Sequence, residues 1–225
     1  MGFMFVSALV PLAIVASGFR PHLGLVWAGV ATFGPYAIAA GCAVFAARRW
    51  GTGSPAGSYG LRFRWWDLLF ALAAVFAYFV IVTLVSATVV LVCGRPSGHS
   101  NVMHSPIAAV NILTVILAVL VAPVVEELVF RGMLLRALQR SLAGAAPSAG
   151  RSHGASVAAV AITAAAFAAL HLPQLAFGVS PLIAVSTFVM GALFGTAAVL
   201  TGRIGTGIIA HALVNAIVAS TVLLH

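Results

Sequence analysis

Only three acidic residues, Asp67, Glu126 and Glu127, occur in this sequence, and two of them are adjacent. The pair stands in Val124-Val125-Glu126-Glu127-Leu128-Val129-Phe130-Arg131-Gly132, directly after the apolar run 107–125. An ionised carboxylate inside a membrane costs on the order of 3 kcal/mol by insertion scales, which makes such a pair a functional feature by default. The other strong polar groups within apolar runs are Asn111, His171, His211 and Asn215. A carboxylate with two imidazoles and an amide is a hydrolytic set. Glu126 could take a proton from water, His171 could hold and polarise that water, and His211 and Asn215 could donate to the oxyanion of a tetrahedral intermediate.

The same residues admit other readings. Glu126, His171 and His211 could ligate a metal such as zinc, with a fourth position left for water. Neither HExxH nor a cysteine cluster is present, so the spacing alone does not require a metal, and no Ser/His/Asp triad arrangement stands near these histidines. In a proton- or ion-coupled transporter the glutamate and histidines would relay protons. In a catalytically silent membrane protein, for instance one of bacteriocin-immunity type, each would be a hydrogen-bonded packing residue. Proteolysis is the reading favoured by the paired oxyanion donors, which transport does not need.

Spacing divides the labour. Glu127 and Arg131 are four apart in the order that favours a helical ion pair. Glu126 points about 100° away from Glu127 on the same turn, free to face other helices. His211 and Asn215 are four apart and can share one cavity, whereas Asn111 is expected to make an interhelical hydrogen bond. Glu126 stands 14 residues before Arg140, and His171 stands 16 after Ala155. In an antiparallel helix pair the two are level to within roughly 3 Å at 1.5 Å rise per residue. His211 lies 8 residues past Arg203, which makes it shallower unless that turn sits deep.

The elements that must position these groups are membrane spans. Hydrophobic residues make up 63% of the chain, charged residues 6%, and the mean hydropathy is +1.17; a soluble domain carries about 25% charge. Long apolar runs without strand alternation predict an all-α polytopic transmembrane helix bundle of about seven spans, within a range of about six to eight. The expected spans are 3–18, 23–47, 66–93, 106–127 with an amphipathic continuation over 128–142, 155–172, 181–200 and 206–224. The first lacks a basic n-region, so it reads as a span rather than a cleaved signal peptide. Residues 51–60 and 143–154 read as Gly/Ser/Ala linkers, and 61–67 as a basic-aromatic headgroup cluster. His99 and His104 fall in a polar loop and read as solvated. Cys42 and Cys93 lack metal or redox spacing and read as packing residues. Gly191 and Gly195 have the spacing of a close helix contact.

Arginine sets the orientation. Arg48, Arg49, Arg62, Arg64, Arg131, Arg136, Arg140, Arg151 and Arg203 fall on one side and Arg20 and Arg95 on the other, 9 against 2 of the 11 basic residues. By the positive-inside rule this places the N-terminus in the cytoplasm of a multi-pass cell-membrane protein. The net charge of +8 is then a topology signal facing anionic lipid, and no nucleic-acid partner is expected. The absence of lysine, with abundant Ala, Gly and Arg, points to a GC-rich bacterial genome.

Glu126-Glu127-x-x-x-Arg131, Phe167-x-x-x-His171 and His211-x-x-x-Asn215, in that order, resemble the motifs of the CPBP intramembrane proteases, also called the Abi or CAAX-protease family. The resemblance covers about 106–221, leaving 1–105 as N-terminal transmembrane helices. It implies that Glu126 is the general base and His171 its water-binding partner. His211 and Asn215 would form the oxyanion site, with Glu127 and Arg131 organising the first motif. The implied substrate is a membrane-associated protein or peptide. The implied chemistry is glutamate-dependent or metal-assisted, and the His211/Asn215 pairing favours the metal-free form. Bacteria generally lack prenylated CAAX proteins, so the family name carries no substrate claim.

Overall fold

Hydrocarbon offers no partner to a backbone N–H or C=O, so an apolar chain of this kind is expected to close its hydrogen bonds within helices. The computed structural model describes residues 24–94, 108–144, 153–177 and 180–223, and among these every regular element is helical. The expected span 3–18, His99 and His104, the side chain of Asn111, and Arg20, Arg95 and Arg151 lie outside the described residues.

The first helix, α1, is Gly24–Trp50. A short helix α2, Pro55–Tyr59, follows where a linker was expected. Its signals were present: Ser54 caps the Gly57 N–H at 3.2 Å, Pro55 occupies the first turn, and Gly60 closes it in the left-handed region at φ 69°. Helix α3 is Trp66–Cys93. Helix α4 runs from Ala108 to Leu142 but changes winding along its length. It is α-helical over Ala108–Ile116, Ala122–Glu127 and Leu135–Leu142, and π-helical over Leu117–Val121 and Leu128–Leu134. Helix α5, His153–Ala169, gives way to a 3-10 turn, Leu172–Phe177, at Pro173. Helices α6, Leu182–Thr201, and α7, Gly205–Leu223, complete the bundle.

Among the described residues, four helices are long and apolar enough to cross a membrane: Trp66–Cys93, Ile112–Leu142, His153–Leu175 and Leu182–Thr201; the apolar stretch Gly205–Ser220 is shorter. Large apolar side chains stand out in the open, among them Phe76, Leu84, Leu91 and Leu200. Outward apolar surface on long helices fits lipid, not water. Cys42 and Cys93 are exposed on this surface and do not pack between helices.

Helices α5 and α6 pack closely. A Cβ on Gly191 would fall 2.7 Å from Ala164 Cα, and one on Gly195 would meet Val160 Cγ1 at 3.3 Å. The small-residue spacing therefore lets these backbones approach. Helix α3 packs on α6 and α7, and the second half of α4 on α5.

One face gathers the arginine-bearing segments. Arg136 donates to the Gly202 carbonyl at 2.7 Å, and the Ile204 N–H donates to Gly60 O at 2.9 Å. Asp67, expected in a headgroup cluster, is instead fully buried there. It accepts from the Arg64 N–H at 2.6 Å, Thr206 Oγ1 at 2.8 Å, and Arg203 NH2 at 2.9 Å and Nε at 3.4 Å. The turn between α6 and α7 is thereby anchored to the start of α3. A Cβ on Gly205 would come 2.5 Å from Arg62 O, so only glycine admits this approach.

Candidate active site

The centre of the site is where α4 widens. Pro123 has no N–H, and the π stretch before it moves the hydrogen bonds to i−5: the Ala122 N–H bonds Leu117 O. In that register the next donor, to Ala118 O, would be the missing N–H of Pro123. Asn215 Nδ2 supplies it from α7, at 2.6 Å. One proton of the Asn215 amide thus ties α7 to the π turn, and the amide retains a second N–H.

One turn further on, Glu126 and Glu127 are both buried, at 6% and 0% exposure. Arg131 NH1 lies 2.9 Å from Glu127 Oε1 within the same helix, which is the ion pair the four-residue spacing predicts. The N–H vectors of the guanidinium do not align on the carboxylate as hydrogen bonds, so the contact is chiefly one of charge. The cation also lies over aromatic faces, 4.7 Å from the centre of the Phe167 ring and 5.9 Å from those of Phe130 and Phe194. Such contacts stabilise a desolvated cation by about 2 kcal/mol.

His211 is buried between the two carboxylates. Its Nδ1 is 3.3 Å from Glu127 Oε1, and its Nε2 is 3.8 Å from Glu126 Oε2. A carboxylate only accepts, so Nδ1 carries a proton toward Glu127. The depth counted from Arg203 had left His211 shallow. It reaches the glutamates because the preceding turn is sunk into the bundle, with Ile204 and Thr206 fully buried beside Asp67.

His171 sits at the end of α5. Its Nδ1 is 2.8 Å from Phe167 O, which can only accept, so Nδ1 bears a proton, and in the neutral imidazole the lone pair is on Nε2. The His171 ring is 4.7 Å from that of Phe167, and the His211 ring is 6.0 Å from it. Phe167, fully buried, is therefore the partition against which both imidazoles rest. Glu126, Glu127, Arg131 and His211 share direct contacts, Asn215 joins through α4, and His171 joins through Phe167. Sequence reasoning missed Tyr36 of α1, whose hydroxyl donates to Glu126 Oε1 at 3.0 Å.

As a ligand set for zinc, Glu126, His171 and His211 do not fit. Among the described residues no three His, Cys, Asp or Glu side chains converge as a metal site requires. His211 is already engaged with both carboxylates.

Glu126, Glu127 and His211 thus lie buried together among apolar helices. A family model described as "Rce1-like: Type II CAAX prenyl endopeptidase Rce1-like" matches residues 108–217, which hold every one of these groups except Tyr36. The match, over just under half of the chain, supports membership of the CPBP family. Membership supports a membrane-embedded, multi-pass protease of the CAAX-endopeptidase class acting on peptide substrates. No curated protein and no solved structure matches.

Proposed function

We propose that the chain is an intramembrane endopeptidase of the plasma membrane in which Glu126 activates water without a metal. The observation that carries this reading is the unequal neutralisation of the two adjacent carboxylates. Glu127 has Arg131 at 2.9 Å in its own helix, whereas Glu126, among the described residues, meets neutral Tyr36 at 3.0 Å and the titratable His211 at 3.8 Å, with the Arg131 charge acting on it less directly. A carboxylate without a permanent cation is the one able to cycle its proton.

In this mechanism a water held by Glu126 and the Nε2 lone pair of His171 loses a proton to Glu126 as its oxygen attacks the scissile carbonyl. The oxyanion that forms accepts from His211 and from the second N–H of Asn215. His211 serves this role as imidazolium, with Nδ1–H directed at Glu127 and Nε2–H toward the site. In that form the charges of Glu126, Glu127, Arg131 and His211 sum to zero, as a low-dielectric interior demands. Glu126 then passes its proton to the leaving amine, which closes the cycle.

The test uses purified full-length protein and a quenched-fluorescence peptide library. Glu126→Gln should abolish cleavage while leaving thermal stability close to wild type, and His171→Ala should lower kcat by about 100-fold or more. In cells, membranes carrying the Glu126→Gln chain should accumulate uncut membrane proteins. A Glu126→Gln chain that cleaves as fast as wild type would overturn the assignment.

A further inference from the structure

We infer that Tyr36 is a positioning residue of this site, contributed by a helix outside the segment that the family model covers. The inference rests on the reading of Glu126 as the base. Two observations carry it. The Tyr36 hydroxyl lies 3.0 Å from Glu126 Oε1, across 90 positions of sequence, and α1 packs directly on the stretch of α4 that holds Glu126.

The consequence is a distinction between the two carboxylate oxygens. A phenol in this position donates, because a carboxylate only accepts. Oε1 is then fixed by α1, and the carboxyl plane can no longer rotate freely about its terminal bond. Oε2, on the side of His211 Nε2 at 3.8 Å, remains the oxygen able to receive a proton from water. Glu126 is a flexible side chain on a helix that is π-wound both before and after it. A base must be held within hydrogen-bond reach of the proton it takes. The other charged or titratable groups around it are Glu127 and Arg131 on α4 and His211 on α7.

The experiment compares wild type with Tyr36→Phe, Glu126→Gln and the double variant, using the peptide that wild type cleaves fastest from the library. Tyr36→Phe deletes one oxygen and leaves the ring in place. It should lower kcat by about tenfold or more, the worth of a hydrogen bond to a charged group, with KM and melting temperature unchanged. In the Glu126→Gln background the same change should have no further effect, because the two residues act as one unit. Wild-type kcat for Tyr36→Phe would overturn the inference and leave the glutamate mechanism standing. So would a loss of activity matched by a fall in melting temperature, which would mark a packing role only. Full activity of Glu126→Gln would overturn the base assignment and this inference together.

Discussion

Asp67→Asn should destabilise the chain by an amount that the geometry of its pocket fixes. The carboxylate is fully buried and accepts four hydrogen bonds, from the Arg64 N–H, Thr206 Oγ1 and two nitrogens of Arg203. Asparagine keeps the shape but removes the charge and turns one acceptor into an NH2 group, which must face either the Arg64 N–H or the guanidinium. Breaking a fully buried ion pair costs about 3–5 kcal/mol. The Arg203 side chain is 16% exposed, so water offsets part of that loss, and about 2–3 kcal/mol is the expected net cost. For a chain of this size that is a fall of about 5–10 °C in melting temperature.

The assay is thermal unfolding of purified protein in detergent, with the temperature at which cleavage is lost recorded in parallel. Arg203→Met should cost a similar amount, since it strands the carboxylate. The double variant should cost less than the sum of the two by about 1 kcal/mol or more, because neither partner is then left buried alone. Strictly additive shifts would refute the reasoning, as would an Asp67→Asn chain that melts within about 1 °C of wild type. The activity readout matters because Thr206 lies in the first turn of α7, and His211 follows it on the same helix.

Two further outcomes follow from the same geometry. Glu127→Gln should destabilise by about 3–5 kcal/mol, because Arg131 at 1% exposure would keep its charge without a carboxylate to balance it; the measurement is the yield and melting temperature of detergent-solubilised protein. Gly191→Ala and Gly195→Ala should differ, since the new methyl meets Ala164 backbone at 2.7 Å in the first and a valine methyl at 3.3 Å in the second. The first should cost about 1–3 kcal/mol and the second clearly less, read as the difference between their melting temperatures.

The groups that could be found from sequence were those whose partners lie within a helical turn or whose chemistry is costly in lipid. Glu127 with Arg131 and the Gly191/Gly195 spacing belong to the first kind, the burial of Glu126 and His211 to the second. Contacts between distant helices carried no such signal. Asp67 and Arg203 are 136 positions apart, and Tyr36 is 90 from Glu126; neither pairing leaves a pattern in the chain. The π windings of α4 had one visible cause, Pro123, but a proline also fits a simple kink or a helix start. What settles the widening is Asn215 reaching Ala118 O, and that is tertiary. The same holds for the depth of His211. It follows from burial of the turn at Ile204, which residue counting cannot see.

The adjacency of Glu126 and Glu127 acquires a physical reason from the surroundings of α4. Consecutive residues on a helix diverge by about 100°, so a single helix in the middle of a bundle can send two neighbouring carboxylates into two different sets of partners. Glu127 turns to Arg131, while Glu126 turns to Tyr36 of α1. His211 stands in the angle between them, with Nδ1 3.3 Å from Glu127 Oε1 and Nε2 3.8 Å from Glu126 Oε2. Separating the carboxylates by a full turn would place them on the same face, and Arg131 could then neutralise both. Adjacency keeps Glu127 committed to the cation and turns Glu126 to partners on α1 and α7.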